Sequence, residues 1–463
     1  MPEPSMPEPP MPPAAEQRPD RPRPAPPSVL IIAYAFPPSG GAGVQRLGKL
    51  AKYLPMHGIE PQALTASNPS VPVTDSTLTD DLPAGMRITL ARTLEPGYST
   101  KQAAWSADAA SNPTLRQRVI RMATAMVRQL AFPDIQVLWL PAAWRALRRL
   151  QRSAAAPDAV IISGPPFSPF LLAGTARRRC AVILDYRDEW RLIREQMEMT
   201  RSRLSRWFGD RVEAAVLRRA DMVTMATDEY RASLLQRFPF VRPDQVVAIP
   251  NGFDPSDFPA TLRTPPTDRL RLTFAGTVYR VTRPAGLLEA VREVHRREPQ
   301  LAALLEVQFI GRVVDSERAA LDDMRSLGVR TVPYLPHQQL LEELSASHLT
   351  MCILDDLPGA ENIYPGKIFE LMHLGRPCLV LCPEGALARL VHETELGRCL
   401  RPRDVVGITE LLIEMLHEFR AGRAPGGPDR PQPIGIERFD RRVTAGQFAE
   451  VVRAAIRSRS ERR

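Results

Sequence analysis

Ser28-Val-Leu-Ile-Ile-Ala-Tyr34 is a short apolar run of the kind that forms a buried parallel strand. A glycine-rich turn, Pro37-Pro-Ser-Gly-Gly-Ala-Gly43, follows it and leads into a helical pattern from Val44 to Met56. A strand, a glycine loop and a helix in this order are the opening unit of an α/β domain. We therefore predict that an α/β fold begins at Ser28.

Similar apolar runs recur along the chain, and helical segments separate most of them. In the first half, further strands are predicted at Glu60 to Thr65, Met86 to Leu90, Asp158 to Ile162, Ala181 to Asp185, Met222 to Met225 and Val246 to Ile249. A loop rich in Pro and Thr, from Asp254 to Thr267, then divides the chain. In the second half, strands are predicted at Leu270 to Ala275, Leu304 to Ile310, Val329 to Val332, Leu349 to Leu354, Pro377 to Leu381 and Arg398 to Leu400. Two such halves predict two Rossmann-like domains that face each other across a cleft.

The length of 463 residues is too great for one ordinary core and suits two domains. We predict these domains at residues 28–262 and 263–425. A last helix, within residues 426–463, is predicted to return toward the first domain. Residues 1–27 alternate Pro with Glu, Arg and Ala and lack the apolar core of a signal peptide, so we predict a disordered tail there.

The composition is that of a soluble globular protein, with 44% hydrophobic and 24% charged residues. The net charge of +9 comes almost wholly from arginine, since lysine occurs only at positions 49, 52, 101 and 367. Such a charge suits nucleic acid, an anionic membrane surface or phosphorylated substrates. The sequence lacks aromatic RNA-binding motifs and zinc-finger spacings, which disfavours nucleic acid. The sequence contains no run of about 18 uncharged apolar residues, so no transmembrane helix is predicted.

The cysteines are odd in number and scattered, and most lie in apolar runs. This pattern predicts buried free thiols rather than a disulfide framework or a metal site, and with them a reducing, cytoplasmic location. The cysteines are Cys180, Cys352, Cys378, Cys382 and Cys399.

An insertion from Thr114 to Arg152 is dense in Arg, Leu, Val and Trp, and it includes Trp139 and Trp144. Arg-flanked aromatic residues of this kind can lie in a membrane interface. The alternative is an amphipathic helix pair that packs on its own sheet. The segment Arg201 to Arg219 leaves the same two alternatives open.

The segment Glu361-Asn-Ile-Tyr-Pro-Gly-Lys-Ile-Phe-Glu-Leu-Met372 carries the strongest chemical signal. Pro365 suits the first turn of a helix, so Lys367 is predicted in that turn, where the helix dipole disfavours a cation. A bound diphosphate would reverse this effect, because free backbone N–H groups and the Lys367 ammonium would both contact it. Glu370 lies on the same face and can accept hydrogen bonds from two ribose hydroxyls. The alternative is a surface Lys/Glu pair, although Lys before Glu is the poorer orientation.

A second cation for these phosphates is predicted in the first loop of the second domain. Arg283 follows the strand Leu272 to Ala275 and the turn Gly276-Thr277, and Arg280 is its competitor. An arginine there would offset the negative charge that develops on a departing diphosphate. The alternative for either arginine is a solvated surface charge.

The loop Gly40-Gly-Ala-Gly43 allows the backbone to approach a ligand closely. It fails as a dinucleotide fingerprint, because Arg46 stands where a third Gly or Ala is expected. A tight turn without a ligand is the alternative.

Asp185-Tyr-Arg-Asp188 ends a predicted strand at the edge of the sheet where ligands of open α/β sheets bind. Arg187 and Asp188 would position an acceptor hydroxyl there, with Asp188 or Asp185 as the base. An Arg/Asp ion pair that fixes the loop is equally consistent with the sequence.

Together these motifs resemble the GT-B glycosyltransferases of family 4. The resemblance covers roughly Ser28 to His417 and implies the GT-B fold, with an acceptor domain first and a donor domain second. Enzymes of this family are typically retaining and metal-independent, and they use nucleotide sugars. The motifs are Tyr34-Ala-Phe-Pro-Pro-Ser-Gly-Gly-Ala-Gly-Val-Gln-Arg46, Ser163-Gly-Pro-Pro166, Asp185-Tyr-Arg-Asp188, Ile249-Pro-Asn-Gly-Phe-Asp254 and Pro365-Gly-Lys-Ile-Phe-Glu370.

The resemblance places the loop of Gly40, Gly41 and Ala42 over the donor phosphates and sugar. It also implies donor contacts from Tyr364 and Ile368. In one respect the sequence departs from the family: many relatives have a glutamate eight residues before the ribose-binding one, and here that position is Asn362.

The same resemblance bears on metals and cofactors. The sequence contains no Asp-x-Asp triplet of the kind that holds a divalent ion in metal-dependent transferases. Lys367, Arg283 and helix N-termini are then expected to neutralise the diphosphate. No cofactor is expected, because the nucleotide sugar is a substrate.

We therefore predict a glycosyltransferase in which Arg283, Lys367 and Asp188 are catalytic. The expected acceptor is a glycan or a lipid-linked molecule of a surface polysaccharide, a lipopolysaccharide or a related glycoconjugate. The expected location is the cytoplasm, at the inner face of the membrane if the anionic surface is a partner. A nucleotide-sugar epimerase of the same shape and a non-catalytic sugar-nucleotide-binding subunit are the alternatives.

Overall fold

The computed structural model describes residues 26–71, 74–98, 101, 132–196, 203–423 and 432–462. The predicted tail at residues 1–27 therefore lies outside the described part, apart from its last two residues. Residues 114–131 of the predicted insertion also lie outside it, as do Arg201 and Ser202.

Thirteen strands form two parallel sheets in the described residues. The first sheet has the order β3-β2-β1-β4-β5-β6-β7 and the second the order β10-β9-β8-β11-β12-β13. Each half thus has its first strand in the middle, as in doubly wound folds, which confirms the predicted fold class. The strands of the first sheet are β1 Ser28–Ile32, β2 Glu60–Ala66, β3 Arg87–Ala91, β4 Ala159–Gly164, β5 Ala181–Tyr186, β6 Met222–Met225 and β7 Val246–Ala248. Those of the second are β8 Leu270–Ala275, β9 Leu305–Ile310, β10 Val329–Val332, β11 Leu349–Ile353, β12 Cys378–Leu381 and β13 Gly397–Leu400.

The central strands are apolar because helices cover both faces of each sheet. Every residue of β4, β5 and β11 is buried. Such strands have no solvent side and form nearly continuous apolar runs rather than alternating ones. Each strand predicted from the sequence is present, with ends that differ by at most two residues.

Helices connect the strands and cover the sheets. In the first half they are α1 Ala42–Tyr53, α2 Leu140–Leu150, α3 Ala173–Ala176, α4 Trp190–Gln196, α5 Arg203–Leu217 and α6 Asp228–Arg237. In the second half they are α7 Ala285–Arg297, α8 Pro299–Ala302, α9 Asp315–Asp322, α10 His337–Ser345, α11 Lys367–Leu374, α12 Ala386–Thr394, α13 Val405–Arg420 and α14 Arg441–Glu461. None of the described helices is long and apolar enough to cross a bilayer.

The last helix, α14, packs on the first sheet. Phe448, Val452 and Ala455 lie in one apolar cluster with Val29 and Ile31 of β1. The 21-residue length of α14 gives it a long face for this contact. The two halves are therefore joined by a helix as well as by the loop between β7 and β8.

The chain segments cross tightly where α14 begins. The Phe253 N–H donates to the Phe439 carbonyl at 3.0 Å, and the Arg441 N–H donates to the Phe253 carbonyl at 2.9 Å. A Cβ atom on Gly252 would lie 1.9 Å from the Phe439 carbonyl oxygen. Glycine is therefore required at position 252 by a close backbone approach.

Part of the predicted insertion is core rather than interface. Trp139 is fully buried, and its indole N–H donates to the Ala91 carbonyl at 3.0 Å. Of the two alternatives for this segment, Trp139 therefore fits the one in which it packs on its own sheet, because the indole has both apolar neighbours and a hydrogen-bond acceptor inside the domain. Trp144, by contrast, is 40% exposed, and the Arg148 guanidinium lies 4.8 Å from its ring centre.

The cysteines are free, as predicted, and four of the five are buried. The Cys382 and Cys399 sulfur atoms lie 3.4 Å apart, which is the distance of a contact and not of a disulfide bond.

Residues that follow the carboxyl ends of strands in the two sheets contact each other. There the Thr227 hydroxyl, at the start of α6, donates to the Asn362 carbonyl at 3.1 Å. Glu229 of the same helix forms an ion pair with Arg389 of α12. These contacts bring the segment before α11 against the first half, so the predicted site residues of both halves border one region.

Candidate active site

Helix α11 begins at Lys367, with Gly366 as its N-cap. The predicted start in the turn of Pro365 is two residues early. The Ile368 N–H donates to the Pro365 carbonyl at 3.0 Å, so the proline forms the turn that leads into the helix. No side chain caps this N-terminus, so the first N–H groups of the helix other than that of Ile368 are available to an anion.

Lys367 and Glu370 contact each other as their spacing predicts. The Lys367 Nζ lies 2.7 Å from Glu370 Oε2. Glu370 is only 8% exposed, whereas about a quarter of the Lys367 side chain is exposed. The pair is therefore not a surface pair, because the Glu370 carboxylate is buried and the Lys367 ammonium lies between it and the solvent-exposed surface.

Glu370 is held by a second partner that the sequence does not indicate. The His337 Nε2 lies 3.2 Å from Glu370 Oε1. Burial raises the pKa of Glu370, but Lys367 and His337 outweigh this and hold it well below its usual range. Glu370 is thus an ionised acceptor whose two oxygens are oriented by cationic and N–H groups.

Tyr364 and Ile368 flank Lys367 in different environments. Ile368 is fully buried in the apolar cluster beneath α11, and Tyr364 packs against that cluster at its edge. Burial, followed by Glu229, raises the pKa of Tyr364 to about 12. The Tyr364 hydroxyl is therefore a neutral group at physiological pH.

Arg283 lies in the predicted loop but turns toward another partner. Its guanidinium forms three hydrogen bonds with Glu317 of α9, at 2.7 Å and 3.0 Å to Oε1 and at 3.2 Å to Oε2. In the described residues, Arg283 forms no hydrogen bond or ion pair with Glu370, the acceptor of the Lys367 pair. Arg280, its predicted competitor, is exposed at the start of a 3₁₀ helix.

The glycine loop leads directly into helix α1. Gly41 is its N-cap and has a φ of 115°, a conformation that favours glycine, and Ala42 is the first helical residue. A Cβ atom on Gly43 would lie 1.4 Å from Arg187 Nη1, so the loop and the Arg187 guanidinium are in contact. Gly40 precedes them at the same edge of the sheet.

Asp185 sits in a saturated hydrogen-bond network at the end of β5. Its carboxylate accepts from Arg46 at 3.1 Å, from Ser163 at 2.7 Å and from Thr224 at 2.9 Å. Burial alone would raise the pKa of Asp185. Arg46 and the two hydroxyls lower it by more, so the pKa lies below its ordinary value. This geometry suits a residue that fixes the strand ends more than one that accepts a proton.

Asp188 has a different environment from Asp185. It is half-buried, and no described side chain forms a hydrogen bond or an ion pair with it. Burial raises the pKa of Asp188, and Arg187 only partly offsets this. Arg187 itself donates to the Pro165 carbonyl. Of the two carboxylates at the end of β5, Asp188 is the one with a free oxygen and the greater basicity.

Three side chains near these residues were not predicted as functional. Arg46 was noted only as a mismatch to a glycine motif, and His337 carries no motif. Tyr230 of α6 has a buried hydroxyl without a hydrogen-bond partner in the described residues, and burial followed by the charge of Asp188 raises its pKa. A basic residue among the apolar positions of α1 was the available signal for Arg46, and no comparable signal exists for the other two.

Comparison with known proteins agrees with this architecture. Residues 40–252 match the model of the glycosyl transferase 4-like domain. No curated protein sequence matches the chain. The predicted resemblance is thereby confirmed over these residues, which are similar to a glycosyl transferase 4-like domain.

Solved structures share the whole fold at low identity. Sucrose-phosphate synthase from Thermosynechococcus elongatus is 16% identical with a TM-score of 0.59, over 92% of this chain and 98% of that one. Anabaena HepE in complex with UDP and glucose is 15% identical with a TM-score of 0.57, over 91% and 98%. The lipopolysaccharide outer core galactosyltransferase WaaB is 11% identical with a TM-score of 0.54, over 92% and 99%. These similarities show the fold, which is the predicted GT-B arrangement.

Proposed function

We propose that this chain, whose residues 40–252 are similar to a glycosyl transferase 4-like domain, transfers a sugar from a nucleotide-diphosphate sugar to an acceptor hydroxyl. The observation that carries the proposal is the buried, ionised Glu370 beside Lys367 at the uncapped start of α11. A ribose needs a carboxylate acceptor and a diphosphate needs a cation with free N–H groups, and this helix start offers both.

The departing diphosphate is neutralised by the protein in this proposal, without a metal ion. Lys367 contributes the first cation. Arg283 contributes a second one when its guanidinium exchanges Glu317 for phosphate oxygens, which are a bidentate partner of the same geometry. Gly40, Gly41 and Ala42 face the donor from the other half. The reaction proceeds with retention, as in the family that the motifs resemble.

The acceptor lies on the side of the first domain. Asp188, with its free oxygen and raised pKa, contacts the acceptor hydroxyl, and Arg187 orients that loop. Asp185 keeps the strand ends in place through Arg46. We further propose that the acceptor is a glycan or a lipid-linked glycan of a cell-surface polysaccharide or glycoconjugate.

The donor is identified by a panel of nucleotide sugars in a thermal shift assay. A ligand at about 100 times its Kd should raise the Tm by roughly 5 °C. The shift should be lost in Glu370→Ala and kept in Glu289→Ala, which alters an exposed carboxylate of α7. A shift that is the same in Glu370→Ala as in the wild type would contradict the proposed donor site.

Turnover separates transfer from the alternatives. We expect release of nucleoside diphosphate that depends on an added acceptor glycan. Release without any acceptor would instead indicate an epimerase, and donor binding without turnover would indicate a non-catalytic subunit.

We also propose that the first domain associates with an anionic membrane surface at the inner face of the membrane, which places the protein in the cytoplasm. Trp207 and Phe208 of α5 are about half exposed, and the Arg211 guanidinium lies 4.8 Å from the Trp207 ring centre. A cleft of about 480 Å³ beside them is lined by Arg178, Arg211 and Arg219 over an apolar floor. Interfacial aromatic residues with neighbouring arginines suit anionic headgroups.

The membrane proposal is tested with vesicles of phosphatidylcholine, with and without phosphatidylglycerol. We expect binding to the anionic vesicles, weakened about tenfold in the double variant Trp207→Ser/Arg211→Ser. Arg292→Ser, which removes one positive charge from the second domain, is the control. Equal binding of the two vesicle types, or of the double variant and the control, would contradict the proposal.

A further inference from the structure

His337 is the first residue of α10 and lies 33 residues before Glu370 in the sequence. We infer that His337 is a positioning residue, which sets the Glu370 carboxylate for the ribose of the donor. This inference rests on the proposed donor site. Nothing in the reaction requires His337 to contact the substrate itself.

The carboxylate of Glu370 is fixed from two sides. Lys367 binds Oε2 at 2.7 Å and His337 binds Oε1 at 3.2 Å. Each carboxylate oxygen accepts more than one hydrogen bond, so both oxygens keep a lone pair for a hydroxyl. With both oxygens held, the plane of the carboxylate cannot rotate freely, and two ribose hydroxyls meet acceptors in fixed directions.

The imidazole has an acidic neighbour on its far side. Its Nδ1 lies 3.8 Å from Asp257 Oδ2, which is in the loop between β7 and β8. Asp257 forms an ion pair with Lys49 of α1, which also lies 2.8 Å from Asp254. His337 is only 7% exposed, so this orientation is enclosed by protein.

These contacts form one continuous line of charged and polar groups. It runs from helix α1 through Lys49 and Asp257 to His337, and then to Glu370. The lysine lies in the first half and the glutamate in the second. The surroundings of the ribose acceptor thus include residues of both domains and of the loop that joins them.

Two amide variants distinguish positioning from simple filling of space. In His337→Gln the amide nitrogen can replace Nε2 and still donate to Glu370. In His337→Asn the shorter side chain places its amide nearer the Nδ1 position, toward Asp257, and the bond to Glu370 is lost. Both variants are polar, and they differ in which side of the imidazole the amide replaces: Gln the side toward Glu370, and Asn the side toward Asp257.

The readout is selectivity for the ribose hydroxyl. UDP, GDP and ADP are titrated calorimetrically, and the one that binds the wild type best is compared with its 2′-deoxy form. We expect the wild type and His337→Gln to prefer the ribonucleotide about tenfold, and His337→Asn to lose most of this preference. A ratio of two affinities within one variant is independent of the fraction of folded protein.

His373→Gln is the matched control. This histidine lies on the same helix as Glu370 but stacks on Phe253, with ring centres 4.4 Å apart. We expect His373→Gln to keep the wild-type ratio of affinities for the ribonucleotide and its 2′-deoxy form. Equal ratios in His337→Gln and His337→Asn would overturn the inference while leaving the donor site intact. Failure of the wild type to bind any of the three nucleotides would overturn the proposed function as well.

Discussion

Replacement of Lys367 by methionine should lower the rate of sugar transfer by about 100- to 1,000-fold, the usual effect of removing one group that stabilises developing charge. Lys367 is the first residue of α11, whose N-terminus no side chain caps, and its Nζ lies 2.7 Å from Glu370 Oε2. Negative charge grows on the diphosphate as the sugar leaves. The lost interaction is therefore stronger in the transition state than in the ground state, and kcat should fall more than KM rises.

Two comparisons make this prediction specific. Lys101→Met removes another ion-paired lysine, the partner of Glu95, and should leave transfer unchanged. Lys367→Arg keeps the charge and should recover part of the rate, although a planar fork does not replace a compact ammonium. A rate for Lys367→Met within about threefold of the wild type would remove Lys367 from the proposed mechanism.

A loss of stability must be separated from this loss of rate. In Lys367→Met the buried Glu370 retains only His337 as a cationic or N–H partner in the described residues. An uncompensated buried carboxylate is costly. The double variant Lys367→Met/Glu370→Gln removes that cost, so it should recover thermal stability without recovering transfer.

The central strands were predictable because burial on both faces leaves a simple signal in the sequence. β6 and β8 have the ends that the apolar runs predict. The start of α11 was less predictable, because Pro365 is acceptable both in a first helical turn and in the turn before it. The contact between Lys367 and Glu370 was predictable, since residues three apart on a helix are neighbours.

The partners of the site residues were not predictable, because they are distant in sequence. Glu370 meets His337 across 33 positions, and Asp185 meets Arg46 across 139. No local pattern encodes such contacts. They arise only after the sheets bring loop and helix ends to one edge.

Arg283 shows a further limit of sequence reasoning. The sequence places it at the correct loop, but it cannot indicate that Glu317 takes up its guanidinium. Glu317 accepts hydrogen bonds from the Arg283 guanidinium through both of its carboxylate oxygens. A phosphate ligand would compete with Glu317 for the same guanidinium N–H groups. The role of Arg283 in the donor site therefore stays a prediction.

Arg46→Met should lower the free energy of unfolding of the first domain by about 3–5 kcal/mol, the usual cost of breaking a buried ion pair. Arg46 and Asp185 are both almost fully buried, at 1% and 0% exposure. The guanidinium also donates to the carbonyls of Ile249 and Pro250 at 2.8 Å. The variant therefore leaves the buried Asp185 carboxylate without its counter-ion and the two carbonyls that follow β7 without this donor.

The cost comes mainly from the orphaned charge, and this origin can be tested. Arg46→Met/Asp185→Asn removes the charge as well, so it should be more stable than the sum of the two single variants predicts. Arg292→Met breaks an exposed pair with Glu289 and should cost less than about 1 kcal/mol. All tryptophans lie at or before position 207, so tryptophan fluorescence during urea unfolding reports on the first domain alone.

The pH dependence of the same variant should follow from the Asp185 carboxylate. Burial raises the pKa of Asp185, but Arg46 and the two hydroxyls bring it below its ordinary value of about 3.9. A carboxyl with a depressed folded-state pKa adds stability above that ordinary value and loses it as the pH falls through the folded-state pKa. The difference in the free energy of unfolding between the wild type and Arg46→Met should therefore be largest near neutral pH and become smaller in acid. A difference that is below about 1 kcal/mol at neutral pH, or that does not shrink in acid, would show that the Arg46–Asp185 pair does not stabilise this edge of the sheet.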